Sequence, residues 1–501
     1  MSLESWLEDN DMADYTKSNI EQAGDYSLDI VEIISYRRHG GESKPYKMDI
    51  RPITLNIELT EDILTNTMVG AITVYDTQDV RTILPITGLE KLNLRFSTPG
   101  LKGVEAVEED GHPFQIYKID EVRVDPNNPR GQLYKIYFCS QEMYYSSFTK
   151  VSQAFAGPIE DAIEKIFRQK DFLNSKKKLY FEPTRTNTKI VIPNLRPFNA
   201  INLLSSYAQS SAYRNAGYLF YETPDGYFFR SIESMLAMGG AKARPSKWKF
   251  FYQVSNVRSG DTRDVMDDMR NVIKYDFVRP VDTLKQLRDG AYGNRMISHD
   301  TFNKTITTTD FDYAQSFGDF FHTEHSDGDK ATDKFTVPFA YYDNTNKDIS
   351  QNYMAKLMVD SNTSNLHNDY QLPLPSETTQ LQIPQRQQMQ GTNLRLLVFG
   401  NSVLKAGDII TFDLPLMRPL GQDRQESNPY WGGRYMITAI KHIINIKAQR
   451  YEMILNCMKD AVRTPYPVEK DNNTILTPEQ GVSNIYTEDS NILAGDILES
   501  L

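Results

Sequence analysis

One ladder of apolar residues occurs twice in this chain with identical spacing, and it limits the possible folds more than any other feature. Phe114, Ile116, Ile119 and Val122 make the first copy, and Tyr435, Ile437, Ile440 and Ile443 make the second. Each copy follows an alternating strand: Leu92, Leu94, Phe96 in one case and Ile410, Phe412, Leu414 in the other. Each also precedes one: Tyr134, Ile136, Phe138, then Tyr451, Met453, Leu455. Period-2 alternation puts one face of a strand into a core and the other toward solvent or a partner. Three matched strands in one order predict a single β-unit used twice.

A chain of 501 residues exceeds one core, and a prior of about 150 residues per domain suggests three or four. Tyrosine (29) outnumbers phenylalanine (24), which suits surfaces half buried against partners. The formal charge is −11, concentrated at the ends: residues 1–25 carry seven acids against Lys17, and residues 464–501 carry seven against Lys470. That balance disfavours a sequence-reading DNA-binding protein, which would cluster Lys and Arg against phosphates. The one basic cluster, Lys176 to Lys178, reads as a solvated loop. Cys139 and Cys457 each end the third strand of a copy and read as reduced core thiols rather than a disulfide. No apolar run reaches the roughly 18 residues of a membrane span. The acidic start Met1-Ser2-Leu3-Glu4 is unlike a signal peptide, so synthesis in a cytoplasm is expected.

Residues 1–26 form an acidic arm and 27–150 a β-rich first domain, punctuated by Gly40-Gly41, Asp110-Gly111 and Asp125-Pro126 turns. Residues 151–253 read as an α/β middle domain. One helical face is marked by Ile159, Ala162, Ile163, Ile166 and Phe167, another by Phe198, Ile201 and Leu204, and a hairpin turns through Pro224-Asp225-Gly226. The second β-domain takes residues 254–300 and 391–463, with strands expected near Asn271 to Phe277 and Arg295 to Ser298. The polar stretch 301–390, ending in the Gln-rich Gln380 to Gln390, is hard to pack as a core and reads as an insertion. An acidic tail, 464–501, follows. Both ends carry spaced apolar anchors, among them Trp6, Ile475 and Leu493, and read as arms that order on docking.

Chemistry-bearing motifs are weak. His322-Thr323-Glu324-His325 has histidines three apart rather than the i,i+4 spacing of a zinc protease, and its Ser326-Asp327-Gly328 flank reads as a solvated loop. Gly239-Gly240 and Gly432-Gly433 lack the strand, helix and Lys-Ser/Thr context of a phosphate cradle. Glu108-Glu109-Asp110 and Asp267-Asp268 read as solvated faces. No catalytic, cofactor-binding or metal-binding residue is assigned, no cofactor is expected, and an enzyme is disfavoured.

Read as one string, Glu61-Asp62-Ile63-Leu64, Gly70-Ala71-Ile72-Thr73-Val74-Tyr75-Asp76, Asp79-Val80 and Gly88-Leu89-Glu90-Lys91-Leu92 resembles the first domain of the baseplate hub proteins of contractile-tailed bacteriophages. Gly400-Asn401-Ser402-Val403-Leu404, Gly407-Asp408-Ile409-Ile410-Thr411-Phe412 and Tyr435-Met436-Ile437 through Lys441-His442 resemble the second. The resemblance covers roughly residues 27–300 and 391–463; the arm, the insertion and the tail exceed it. It implies a β-rich α+β fold with two tail-tube-like antiparallel barrel or sandwich domains, an α/β middle domain and an inserted polar domain. It further implies a structural virion protein that joins the tail tube to the central spike as a ring around the channel for DNA and tape-measure protein. Partners would then be the spike, tube or tube-initiator proteins, tape-measure protein and other baseplate (wedge) proteins, with DNA only passing through. Duplication adds the expectation of a homotrimer with six barrels. The alternatives are a tube or tube-initiator subunit, which needs one barrel, and a hub-associated peptidoglycan hydrolase, which needs two opposed carboxylates.

Overall fold

The alternating segments fold as strands, and sequence-adjacent strands mostly pair. The computed structural model describes residues 20–36, 45–106, 111–252 and 265–326 apart from short gaps, 337–338, 354–360, 375–389, 391–415 and 427–463. The first unit contains β1 (Ser27–Ser35), β2 (Thr54–Asp62), β3 (Val69–Asp76), β4 (Lys91–Ser97), β5 (Phe114–Asp125) and β6 (Asn128–Ser140). Helix α1 (Gln141–Phe148) leads into the middle domain. That domain contains β7 (Val151–Pro158), α2 (Ile159–Arg168), β8 (Leu179–Phe181), β9 (Asn187–Leu195), α3 (Pro197–Tyr207), β10 (Tyr218–Thr223), β11 (Gly226–Ser231) and α4 (Ile232–Leu236). The second unit opens with β12 (Trp248–Phe251), α5 (Val265–Arg270) and β13 (Lys274–Arg279). After β14 (Gly293–Asp300), β15 (Thr305–Asp312), β16 (Met354–Asp360) and α6 (Pro375–Gln388), it resumes with β17 (Thr392–Phe399), β18 (Ile409–Asp413), β19 (Gly433–Asn445), β20 (Arg450–Lys459) and the short β21 (Ala461–Val462).

The duplication extends well beyond the apolar ladder. Pairing runs β2-β3-β6-β5-β4-β1 in the first unit and β13-β17-β20-β19-β18-β12 in the second, with the same order along the chain. Leu92 lies opposite Phe114 as Ile410 lies opposite Tyr435. Ile72 stands between Ile57 and Ile136 as Leu396 stands between Tyr275 and Leu455. A bulge follows Ile116 in β5 and Ile437 in β19, at matching positions. The units differ at their last strand: β1 is antiparallel to β4, whereas β12 is parallel to β18.

One expected correspondence is shifted. By register, Ile136 matches Leu455 and Phe138 matches Cys457, two residues later than the apolar ladder suggested. A slip of two leaves every side chain on its original face, so alternation could not distinguish the two alignments. Nor are the copies separate bodies, because β19 pairs with β2 and makes one continuous sheet. A single apolar cluster runs from Val31 and Phe96 to Phe412 and Leu455.

In the middle domain, β10 and β11 are buried on both faces. Tyr218, Phe220, Tyr227 and Phe229 pack with α2 and α3, while Leu219, Tyr221 and Phe228 pack toward Ile409, Met436 and Met458 of the second unit. The hairpin therefore positions the middle domain against that unit.

Two expectations about the polar region need correction. The strand near Arg295 to Ser298 is β14, which pairs with β15 and β16 in a separate three-stranded sheet instead of the second barrel. A short connection to β15 favours that neighbour. The Gln-rich stretch also packs: α6 buries Gln380, Gln382 and Gln385. Gln380 Nε2 donates to Thr309 O at 2.8 Å and Gln382 Nε2 to Ser206 O at 3.1 Å. A glutamine whose amide finds a carbonyl can be buried at little cost. The docking-arm segments 1–19 and 464–501, together with Gly40-Gly41, Glu108-Glu109-Asp110 and Gly239-Gly240, lie outside the described residues.

Candidate functional site: the sheet junction and its buried charges

The junction forms because β19 projects beyond β18, which pairs with it only through Gly433 to Met436. From Ala439 to Asn445 its free side accepts β2, antiparallel, with Lys441 opposite Thr60, Ile443 opposite Glu58 and Ile444 opposite Ile57. Lys441 Nζ reaches Glu58 Oε2 at 2.8 Å across the seam. Beneath it His442 is buried, its Nδ1 2.7 Å from the Tyr451 hydroxyl and its Nε2 3.2 Å from Glu61 Oε1. A buried His, carboxylate and phenol set in register is a polar lock on one strand alignment, since slippage would strand all three.

Each unit also places an acid at the turn into its fourth strand, and these are the functional-looking residues the motif reading passed over. Glu90 folds back so that Oε2 accepts from the backbone N–H of Thr87, Gly88 and Leu89 at 2.8, 3.0 and 3.1 Å. Asp408, at the matching position, instead binds Arg244 Nη2 at 2.8 Å and Lys247 Nζ at 3.0 Å. Burial works to raise the Asp408 carboxyl, but the two cations and the Lys405 N–H outweigh it and hold it below the usual range. The carbonyls of both acids accept from the bulge strand, Ile116 N to Glu90 O and Ile437 N to Asp408 O. Gly88 and Gly407 both sit at φ +92°, the left-handed region that these turns require. The Gly-x-Glu and Gly-Asp strings of the sequence are thus one turn built twice.

Lys177, expected in a solvated loop, is instead buried between two acids. Its Nζ lies 3.1 Å from Glu142 Oε2 and 2.5 Å from Glu222 Oε1. Glu222 Oε2 also accepts from Met68 N at 2.9 Å and from the Ser140 hydroxyl, so the cluster ties the first unit to the middle sheet. Burial opposes the charges of Lys177 and Glu142, yet mutual attraction keeps Lys177 above its ordinary value and Glu142 below. Burial pushes Glu222 up. Two carboxylates bridged by a lysine are a structural clamp; glycoside cleavage needs them facing across a gap that admits substrate.

His322-Thr323-Glu324-His325 is likewise buried rather than solvated. His322 stacks on Phe317, with ring centroids 3.6 Å apart. Its Nδ1 meets Asp460 Oδ2 at 2.8 Å and its Nε2 meets the Phe317 carbonyl at 2.7 Å. Both ring nitrogens are thus engaged by protein oxygens, and neither is open to a metal. Among the described residues no group of three His, Cys, Asp or Glu is placed to hold one. Glu324 Oε1 takes Lys459 Nζ at 2.5 Å and the Arg434 N–H at 3.1 Å. The motif therefore fastens the segment after β15 onto β19 and β20. Asp267 and Asp268 lie on α5, exposed and half-buried respectively.

Glu233, on α4, is a buried acid with no counter-ion among the described residues: Oε1 accepts from Phe321 N at 3.3 Å and Oε2 has no hydrogen-bond partner among them. Burial pushes its carboxyl up to about 8. The folded chain then holds a proton that the unfolded chain releases near its ordinary value of 4.5, so this group makes stability fall as pH rises between those values and stay flat above. Glu233→Gln is expected to stabilise by up to roughly 3 kcal/mol near neutral pH and not at all at about pH 4. Urea unfolding of both proteins at the two pH values measures this, and a gain independent of pH would refute it.

No protein-family model matches the sequence, and no curated protein matches it significantly. Solved structures with a similar course of chain include the tail protein from Neisseria meningitidis MC58 (TM-score 0.47, 12% identity, covering 87% of this chain and 97% of that one). The 43 kDa tail protein of prophage MuSo2 from Shewanella oneidensis aligns with a TM-score of 0.45 at 9% identity, over 86% and 98% of the two chains. Prophage tail protein gp18 from Listeria monocytogenes EGD-e aligns at 0.39 and 10%, over 85% and 94%.

Proposed function

We propose that this chain is a structural baseplate hub protein of a contractile phage tail, and not an enzyme. Three copies form a pseudo-six-fold ring in the virion that joins the tail tube or its initiator to the central spike. The ring surrounds the channel used by DNA and tape-measure protein and meets the wedge proteins outside. The observation that carries this reading is the β19·β2 junction: it joins two equivalent units edge to edge and leaves the equivalent second pair of edges, on β5 and β13, at the two ends of the pair. Such an interface is head-to-tail, and repeating it builds a ring when the rotation closes. Closure would also remove open edges that otherwise invite aggregation. Three chains of two units supply six positions, which lets a six-fold tube meet a three-fold spike. A tube or tube-initiator subunit would need only one unit, and two are present. Mass measurement of the assembled protein, with imaging free of imposed symmetry, is expected to give three chains and six alternating units around a channel. Two, four or six chains, or units lying apart, would overturn the proposal.

A further inference from the structure

The same register rules that seat β19 on β2 also specify what the open edges can seat. Carried through the matched pairings, Lys441, Ile443 and Ile444 of β19 correspond to Asp120, Arg123 and Val124 of β5, the last two after a second bulge between Asp120 and Arg123. On the other side Ile57, Glu58 and Thr60 of β2 correspond to Tyr275, Asp276 and Arg279 of β13, again across a bulge between Phe277 and Arg279. We propose that β5 of one copy of this chain pairs antiparallel with β13 of the next, with Asp120 opposite Arg279, Arg123 opposite Asp276 and Val124 opposite Tyr275. This rests on the ring reading and adds to it the surface and its alignment.

Three observations meet in that register. First, both charged pairs are of opposite sign, although the two strands do not pair with each other within one chain. A slip in one direction would set Asp120 against Asp276 and a slip in the other would set Arg123 against Arg279, so the pattern rejects as well as accepts. Secondly, the extra residues of the two edges, Glu121 or Val122 on one and Val278 on the other, fall opposite each other, so neither bulge interrupts the ladder. Thirdly, exposure is what a missing strand leaves behind. Val124 is 60% exposed where its counterpart Ile444 is 0%, and Val122 and Val278 are 47% and 57% exposed on edges otherwise built like the closed ones. Among the described residues the two acids meet cations of their own strands, Lys118 with Asp120 and Lys274 with Asp276, in exposed pairs weak enough to exchange.

The test uses the full-length chain. Asp120→Arg and Arg279→Asp are each expected to weaken self-association about five- to tenfold by sedimentation, and the double exchange D120R/R279D to restore it. The V124C/Y275C variant should form disulfide-linked trimers under mild oxidation, whereas V124C/D276C, one residue out of register and on the opposite face, should not. Buried Cys139 and Cys457 will not compete, since burial raises both thiols. Trimers that form normally while the exchange fails to restore association, or while only the shifted cysteine pair links, would overturn the register and leave the ring standing. Failure of the unmodified chain to self-associate at any concentration would overturn the ring itself.

Discussion

Lys177→Met is expected to lower folding stability by about 3–5 kcal/mol, the cost of breaking a buried ion cluster from one side. The methionine fills much of the lysine volume, so the loss is not a cavity effect. It arises because Glu142 and Glu222 remain buried with no cation between them. Their remaining partners, the Ser175 and Tyr227 hydroxyls on Glu142 and the Ser140 hydroxyl and Met68 N–H on Glu222, are neutral and cannot offset two desolvated charges. The variant should answer by keeping the acids protonated in the folded state, which raises their folded values above the unfolded ones. Its deficit therefore grows as pH rises from the ordinary carboxylate range and shrinks as pH falls toward it. Lys176→Met, one residue away on an exposed side chain, is the control and should lie within about 0.5 kcal/mol of the parent. Urea unfolding at neutral and mildly acidic pH separates the cases: an equal deficit at both, or none beyond the control, would remove the clamp from the account.

That cluster also marks where sequence reading stops. Alternation made the strands of both units legible, because a buried face needs an apolar residue at every second position whatever it packs against. The ladder was legible for the same reason, but the bulge behind its three-residue steps from Ile116 to Ile119 and from Ile437 to Ile440 was not read from it. The middle hairpin was legible from Pro224-Asp225-Gly226, as Gly226 sits at φ +139°. Charged groups were misjudged wherever the partner is remote. Lys177 meets Glu222, and His322 meets Asp460 from 138 positions away, so a local window sees only a basic run and a polar loop. The junction was invisible too, because β2 and β19 look like ordinary half-buried strands until they are placed side by side. A signal was present in the acids themselves: an isolated Glu90 or Asp408 after a glycine and immediately before an apolar strand is badly placed for solvent.

The same turn provides the second large effect. Asp408→Ala is expected to cost about 3–5 kcal/mol, because it leaves Arg244 and Lys247 buried without their carboxylate. Glu90→Ala, at the matching turn, removes an acceptor from three neutral backbone N–H groups, a smaller loss than that of two charged partners, so its deficit should be the smaller of the two. The pH dependence follows from sign. Asp408 is held below the ordinary carboxylate value of 3.8, so its contribution is fully present above that value and disappears as pH falls through the folded one. Asp408→Ala should accordingly lie furthest below the parent at neutral pH and converge with it in strong acid. Unfolding curves for the two alanine variants across that range decide the matter, and an order in which Glu90→Ala loses more would mean that the cations gain little from Asp408. The consequence reaches the junction, since Asp408 precedes β18, β18 is the neighbour of β19, and β19 pairs with β2. A loosened turn at Asp408 should therefore weaken the internal seam before it disturbs the first unit. If the ring repeats that seam between chains, Asp408→Ala will lower its closure without touching either open edge.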